Sequence, residues 1–163
     1  MNYPDKKEHD FHMHVGSIFI EQLGQGNSIR MIIKGQSMFP FLRKGDAVTV
    51  KPIALKETRI GDIIACRRGH ADSSLTVHRL LKKKKEFIVT KGDANRHGDP
   101  PIFAGQIWGK VIKIERDGKI KNLETNFHRL FAYLIVYILW SYAAAIEVIS
   151  HPICFFKNRF LKK

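Results

Sequence analysis

The sequence predicts a mainly β fold, a coiled sheet or barrel, and three observations point to it. Short β-branched runs recur seven times between Ile29 and Leu123. Glycine–aspartate pairs punctuate them, at Gly45-Asp46, Gly61-Asp62, Gly92-Asp93 and Asp117-Gly118. Seven short strands in about 95 residues leave room for one all-β unit and little else.

In chain order, residues 1–14 read as a loose polar arm, rich in His and Lys, with no apolar stretch of the kind a secretory signal needs. His9, His12 and His14 lie in it, and isolated histidines on a polar terminus usually bind nothing in particular. Ser17 can cap a short helix whose apolar positions are Val15, Ile18, Phe19 and Leu23, with Gly24 and Gly26 able to end it. The strand runs follow at 29–34, 47–51, 62–67, 75–81, 86–91, 106–114 and 119–123. Four lysines at 82–85 read as an exposed hairpin turn between two of them. After His128 the composition changes. Leu130 to Trp140 is eleven apolar residues without a break. Extended to Ile146 the run has 17 residues, and a helix of that length reaches only about 25 Å, the short edge for a bilayer span. Apolar residues on every side of a helix argue against the surface of a soluble domain. With membrane attachment as the expectation, the basic flank Lys157, Arg159, Lys162 and Lys163 favours the cytoplasmic side. The alternative is a buried helix, or one lying in the membrane interface. The expected organisation is an arm at 1–14, a β domain at 15–125 and a hydrophobic helical segment at 128–163.

The 163 residues are 44% apolar and 26% charged, as in a globular protein with a sizeable core. A formal net charge of +13 favours anionic partners. No zinc-finger spacing, helix-turn-helix pattern or aromatic-studded motif points to nucleic acid, so the charge reads as solvated lysine and, at the C-terminus, attraction to a membrane surface. Cys66 and Cys154 sit in apolar runs and read as buried thiols rather than a bridge. Cys66, His78, His97 and Asp99 lack the close pair spacing of a zinc site. No metal or cofactor is called for.

The stretch richest in chemistry is Gly35-Gln36-Ser37-Met38-Phe39-Pro40-Phe41-Leu42-Arg43-Lys44-Gly45-Asp46. A serine follows a glycine-containing turn straight after an apolar strand. Its hydroxyl is a poor nucleophile unless a neighbouring base takes the proton, so the chain must bring that base in space. This string resembles the Ser-Met-x-Pro-x-Leu-x-x-Gly-Asp signature of the type I signal peptidases, and the related fold of the LexA-type self-cleaving repressors. Gly61-Asp62-Ile63-Ile64, Thr76-Val77-His78-Arg79-Leu80, Thr90-Lys91-Gly92-Asp93-Ala94-Asn95 and Gly109-Lys110-Val111 resemble further boxes of that family in the same order. The resemblance covers roughly residues 29–114, and its Val-His-Arg box is similar to that of the endoplasmic-reticulum-type branch.

The resemblance implies a serine endopeptidase on a LexA/signal-peptidase-like fold, cleaving a signal or leader peptide from a precursor protein. Ser37 would be the nucleophile and His78 the general base, where the ordinary bacterial branch and the repressors use lysine. A neutral imidazole accepts a proton near pH 7 without strong desolvation, but needs a third group to orient it. Asp99 and Asp93 are the candidates, with Asp99 favoured as the orienter and Asp93 as support. The Ser37 backbone N–H would bind the oxyanion, with Gln36 assisting, because Gly35 stands where signal peptidases usually have a serine. Gly35, Gln36, Met38, Phe39 and Pro40 would flank the substrate; the alternative for Met38 is core filling. Arg79, next to His78 in a strand, should face the other way and pair with Asp46 or Asp62. Two other readings stand beside this one: a non-catalytic peptide-binding module, and a LexA-type regulator, for which the 36 residues before Ser37 are few. The expected partners are a peptide substrate and membrane lipid, with no nucleic acid, and the expected location is the cell membrane.

Overall fold

Turn chemistry fixes where the chain reverses. Gly45 and Gly61 each stand third in a four-residue turn, at φ 95° and 91°, a conformation that glycine adopts without strain. Asp46 and Asp62 then fasten those turns in the same way, accepting the backbone N–H of Arg43 and Arg59 at 2.8 Å each. Asp117-Gly118, at φ 50° and 72°, makes the two-residue hairpin loop that right-twisted strands favour.

Between these turns a computed structural model describes residues 21–67, 75–125, 127–128, 130–138 and 141. Eight antiparallel strands form one sheet: β1 (Ile29–Ile32), β2 (Ala47–Lys51), β3 (Ile63–Arg67), β4 (Leu75–Lys83), β5 (Phe87–Lys91), β6 (Ile102–Phe103), β7 (Ile107–Arg116) and β8 (Lys119–Asn122). Their order is β1-β2-β7-β3-β4-β5-β6, with β8 added to β7. The long β7 carries β2 along one edge, and β3 and then β8 along the other. Register shifts at Thr49/Val50, Ala65/Cys66 and Leu80/Lys82 sharpen the local twist and curl the sheet.

The curl buries both faces of β3. Ile63 and Ala65 join a core with Leu23, Met38, Leu42, Val48, Val77 and Val111, while Ile64 and Cys66 join a second with Leu80, Ile88 and Ile102. That explains why β3 reads as an unbroken apolar run rather than an alternating one. His78 lies opposite Ile64, and Arg79 opposite Ile63, so the two residues stand on different faces.

The mainly β expectation stands, with differences in detail. β6 is a two-residue strand after Pro100-Pro101, too short to leave a periodic signal. The lysine run is not wholly a turn: Lys82 and Lys83 extend β4, and Lys83 Nζ donates to the carbonyls of Lys56 and Thr58. Reversal comes one step later, where Lys84 N–H donates to Phe87 O. Of the N-terminal helix, residues 21–24 are described, with Leu23 in the core; Val15, Ser17, Ile18, Phe19 and the arm at 1–14 lie outside the described residues. Cys66 is a buried thiol, and Cys154 lies outside. Of the segment 128–163, residues 130–138 are helical and those from 142 onward lie outside. No helix among the described residues is long and apolar enough to cross a membrane.

Candidate active site

Ser37 sits where the chain leaves β1 and folds into consecutive turns. Phe39 N–H donates to Gln36 O at 3.0 Å and Leu42 N–H to Met38 O at 2.9 Å. Met38 and Leu42 anchor these turns in the core, which leaves Gly35, Gln36, Phe39 and Pro40 exposed and Ser37 half-buried. Met38 is therefore placed as a core side chain, and the cis Phe39–Pro40 peptide lies on the outside.

The strand β4 delivers His78 from below. Its ring is 2% exposed, with Nε2 2.9 Å from Ser37 Oγ and Nδ1 2.6 Å from Asp99 Oδ2. Thr90 holds Asp99 in turn through two bonds: the Asp99 backbone N–H donates to Thr90 O at 2.7 Å, and Thr90 Oγ1 donates to Asp99 Oδ2 at 2.7 Å. Both come from the β5 residue that lies opposite Leu80, on the His78 face. With Asp99 ionised, its carboxylate accepts Nδ1–H and leaves the Nε2 lone pair free to accept the Ser37 hydroxyl proton.

The loop after β5 ties the serine turn to the acid. Ala94 N–H donates to Ser37 O at 2.8 Å, and Asn95 N–H to Gly92 O at 2.9 Å. Gly92 is there for space: a Cβ on it would stand 2.6 Å from Ser37 O and 2.8 Å from Asn95 Nδ2.

Asp93 does not turn toward the imidazole. It holds Arg79 in a two-point pair, Nε at 2.8 Å and Nη2 at 2.6 Å, with both side chains almost wholly buried. Arg79 also donates to Gly61 O at 3.2 Å and lies 4.6 Å over the Phe41 ring. The partner expected for Arg79, Asp46 or Asp62, is thus replaced by Asp93. Asp46 instead pairs with Arg116, at 2.8 Å and 2.5 Å. Hydrogen bonding to Arg116 holds the Asp46 carboxyl below its ordinary range, against the opposing effect of burial. Asp62 accepts the backbone N–H of Arg59 in its own turn.

Ser37, His78 and Asp99 are therefore brought together, Asp93 stands one face away, and Thr90, Ala94 and Gly92 complete the frame. Those last three stand in one of the boxes quoted from the sequence, but were given no role in the site. The strand period carried a signal for Thr90 alone, because position 90 shares a face with Leu80 and His78 once β4 and β5 are paired. Among the described residues no group of three or more His, Cys, Asp or Glu is placed to hold a metal ion.

Compared with known proteins, residues 4–112 match the model of a family described as Peptidase S24-like, two-thirds of the chain. No curated protein matches the chain.

Proposed function

This chain belongs to the Peptidase S24-like family, one of serine peptidases and self-cleaving proteins of LexA-like fold, and we propose that it is a serine endopeptidase of the Ser-His-Asp type that removes a signal or leader peptide from a precursor protein. One observation carries the reading: an unbroken hydrogen-bonded chain from Ser37 Oγ through both ring nitrogens of His78 to Asp99.

Ser37 Oγ attacks the scissile carbonyl while its proton passes to His78 Nε2. The Asp99 carboxylate stabilises the imidazolium that forms and keeps Nε2 aimed at the serine. The tetrahedral oxyanion is held by the Ser37 backbone N–H. His78 then gives its proton to the leaving amine as the C–N bond breaks. Water, deprotonated by the same imidazole, attacks the acyl-enzyme and restores the Ser37 hydroxyl. Asp93 is bound to Arg79 on the other face and touches no reacting atom. A histidine base at this place supports a resemblance to the endoplasmic-reticulum-type branch of the signal peptidases over lysine-using relatives, and on this reading the exposed Gly35, Gln36, Phe39 and Pro40 flank the path of the substrate.

The family match also supports a second reading, a LexA-type regulator that cleaves itself. Cleavage of a separate precursor, at a rate that rises with enzyme concentration, decides for the endopeptidase; a concentration-independent nick within the chain decides for the regulator.

The test is labelling with a serine-directed acylating inhibitor and mapping of the modified residue. Ser37 is expected to carry the acyl group. Ser37→Ala and His78→Ala should each lower cleavage by on the order of 10⁶-fold with the fold intact, the scale seen when a member of such a unit is removed. Modification elsewhere, or full turnover in either variant, would end the assignment.

A further inference from the structure

Two unusual surfaces meet on the side of the sheet away from Asp99. The first belongs to residues 130–138, apolar around the whole helix. One side packs inward: a Cβ on Gly61 would come within 2.9 Å of Ala132 Cβ, and Val136 is buried. The opposite side is bare, with Leu130 72%, Leu134 53% and Tyr137 72% exposed, beside Phe127 and Ile138. Those positions recur every three or four residues, so they form one stripe along the helix. A soluble surface seldom leaves so continuous a stripe uncovered.

The second surface is β8, exposed along its length. Lys119 and Lys121 share one side of that strand and, with Phe131, Ile135 and Ile138, line a cavity of about 590 Å³. Lys121 Nζ lies 6.0 Å from the centre of the Phe131 ring and 5.5 Å from that of Phe41. The other charges on the rim are largely engaged: Arg116 by Asp46, and Asp93 by Arg79. Asp117 is the acid left beside the two lysines. Pro40 and Phe41, three and four residues after Ser37, line the same cavity.

We propose that the 130–138 helix and β8 form a docking surface for an anionic phospholipid bilayer. The apolar stripe lies in the headgroup boundary, and Lys119 and Lys121 meet the lipid phosphates. A second copy of the chain fits this face poorly, because each copy carries a net +13 and would set lysines against lysines. A bilayer here lies beside the turn that bears Ser37, so the enzyme would work on precursors held at a membrane surface. That consequence rests on the proteolysis reading, whereas docking itself is measured without any cleavage.

The experiment is co-sedimentation of the full chain carrying Ser37→Ala with vesicles of phosphatidylcholine, with and without phosphatidylglycerol. Binding to the phosphatidylglycerol vesicles, weakened by added salt, is expected. Lys119→Gln and Lys121→Gln should each lower the partition constant roughly fivefold, the scale for one basic residue at an anionic surface. Leu130→Glu with Leu134→Glu should lower it further, and thermal unfolding of each variant reports whether it remains folded. Equal binding to both vesicle types overturns the proposal. So does binding that survives both pairs of changes, which would place the contact elsewhere in the chain. Sedimentation as a dimer with no vesicle binding gives the face to a second copy and overturns it as well.

Discussion

His78 and Arg79 are neighbours in one strand and send their side chains to opposite faces of the sheet, and each meets an aspartate from the same loop. On the His78 face, Asp99 binds a ring that can give and take a proton. On the Arg79 face, Asp93 binds a guanidinium whose planar fork of donors matches the carboxylate at two points. The first pair suits proton transfer. The second acts as a fixed peg, joining β4 to the Gly61 turn, the Phe41 ring and the loop that holds Ser37 O. Identical carboxylates six residues apart thus take different work from the side chain each one meets.

The sharpest way to break this comparison is to neutralise each acid in turn. Asp99→Asn keeps the shape but removes the charge that fixes the tautomer of His78; kcat is expected to fall about 10⁴-fold, as in other triads, with little change in the thermal midpoint. Asp93→Asn should do the reverse. It leaves Arg79 buried with its charge unmatched, a change that typically costs about 3–5 kcal/mol of stability, while the enzyme that remains folded retains most of its kcat. Measured by denaturant unfolding and by kcat under folded conditions, equal behaviour of the two variants would dissolve the distinction.

A smaller effect is expected where the two faces are linked. Gly92→Ala puts a methyl group against the Ser37 carbonyl, and the serine turn must move to admit it. Displacing the hydroxyl by up to about an ångström from Nε2 would lower kcat on the order of 10²-fold, together with a loss of roughly 1–3 kcal/mol for the crowding. Unchanged kinetics would mean that the Ala94 to Ser37 bond plays no part in placing the nucleophile.

The Asp46–Arg116 pair offers a control on the Arg79 peg, since it is less enclosed at its arginine end. Arg116 lowers the folded pKa of Asp46, so the pair stabilises above the unfolded carboxylate's pKa of about 3.9 and loses that contribution as the pH falls through the depressed folded value. Asp46→Asn is therefore expected to be less stable than wild type at neutral pH. The gap should be flat from neutrality down to about pH 5 and close below about pH 4. A gap that does not vary with pH would show that Asp46 acts through its turn bond to Arg43 alone.

Much of this was legible in the sequence, for physical reasons. Period-two alternation placed His78 and Arg79 on opposite faces, and paired glycine and aspartate marked three of the turns that bound the strands. The Gly92-Asp93 pair looked like a fourth such turn. It differs because Gly92 serves a close approach and Asp93 reaches across to Arg79 instead of capping its own turn. Which aspartate meets which strand residue depends on how the loop after β5 folds over the sheet, and no local spacing encodes that. The partner of Arg79 was misplaced for the same reason: Asp46 or Asp62 was expected, and the fold supplies Asp93. β6 escaped because two residues carry no period.

Gly35 offers the gentlest test, and one that should improve the enzyme. The His78 face supplies a base and an orienting acid, but the proposed oxyanion site relies on a backbone N–H. Signal peptidases usually place a serine hydroxyl where Gly35 stands. Nothing lies within 4 Å of a Cβ at that position, and Gly35 is not among the residues with positive φ, so a serine fits without strain or collision. A well-placed oxyanion donor is worth about 10²–10³ in kcat, but a hydroxyl on an exposed turn is solvated and free to rotate. Gly35→Ser is accordingly expected to raise kcat by a smaller factor, about threefold to tenfold, with KM and stability unchanged. A gain in kcat alone would identify a contact made only in the transition state. A gain confined to KM would place the new hydroxyl on the bound substrate instead, and no gain at all would mean that the oxyanion forms out of reach of residue 35.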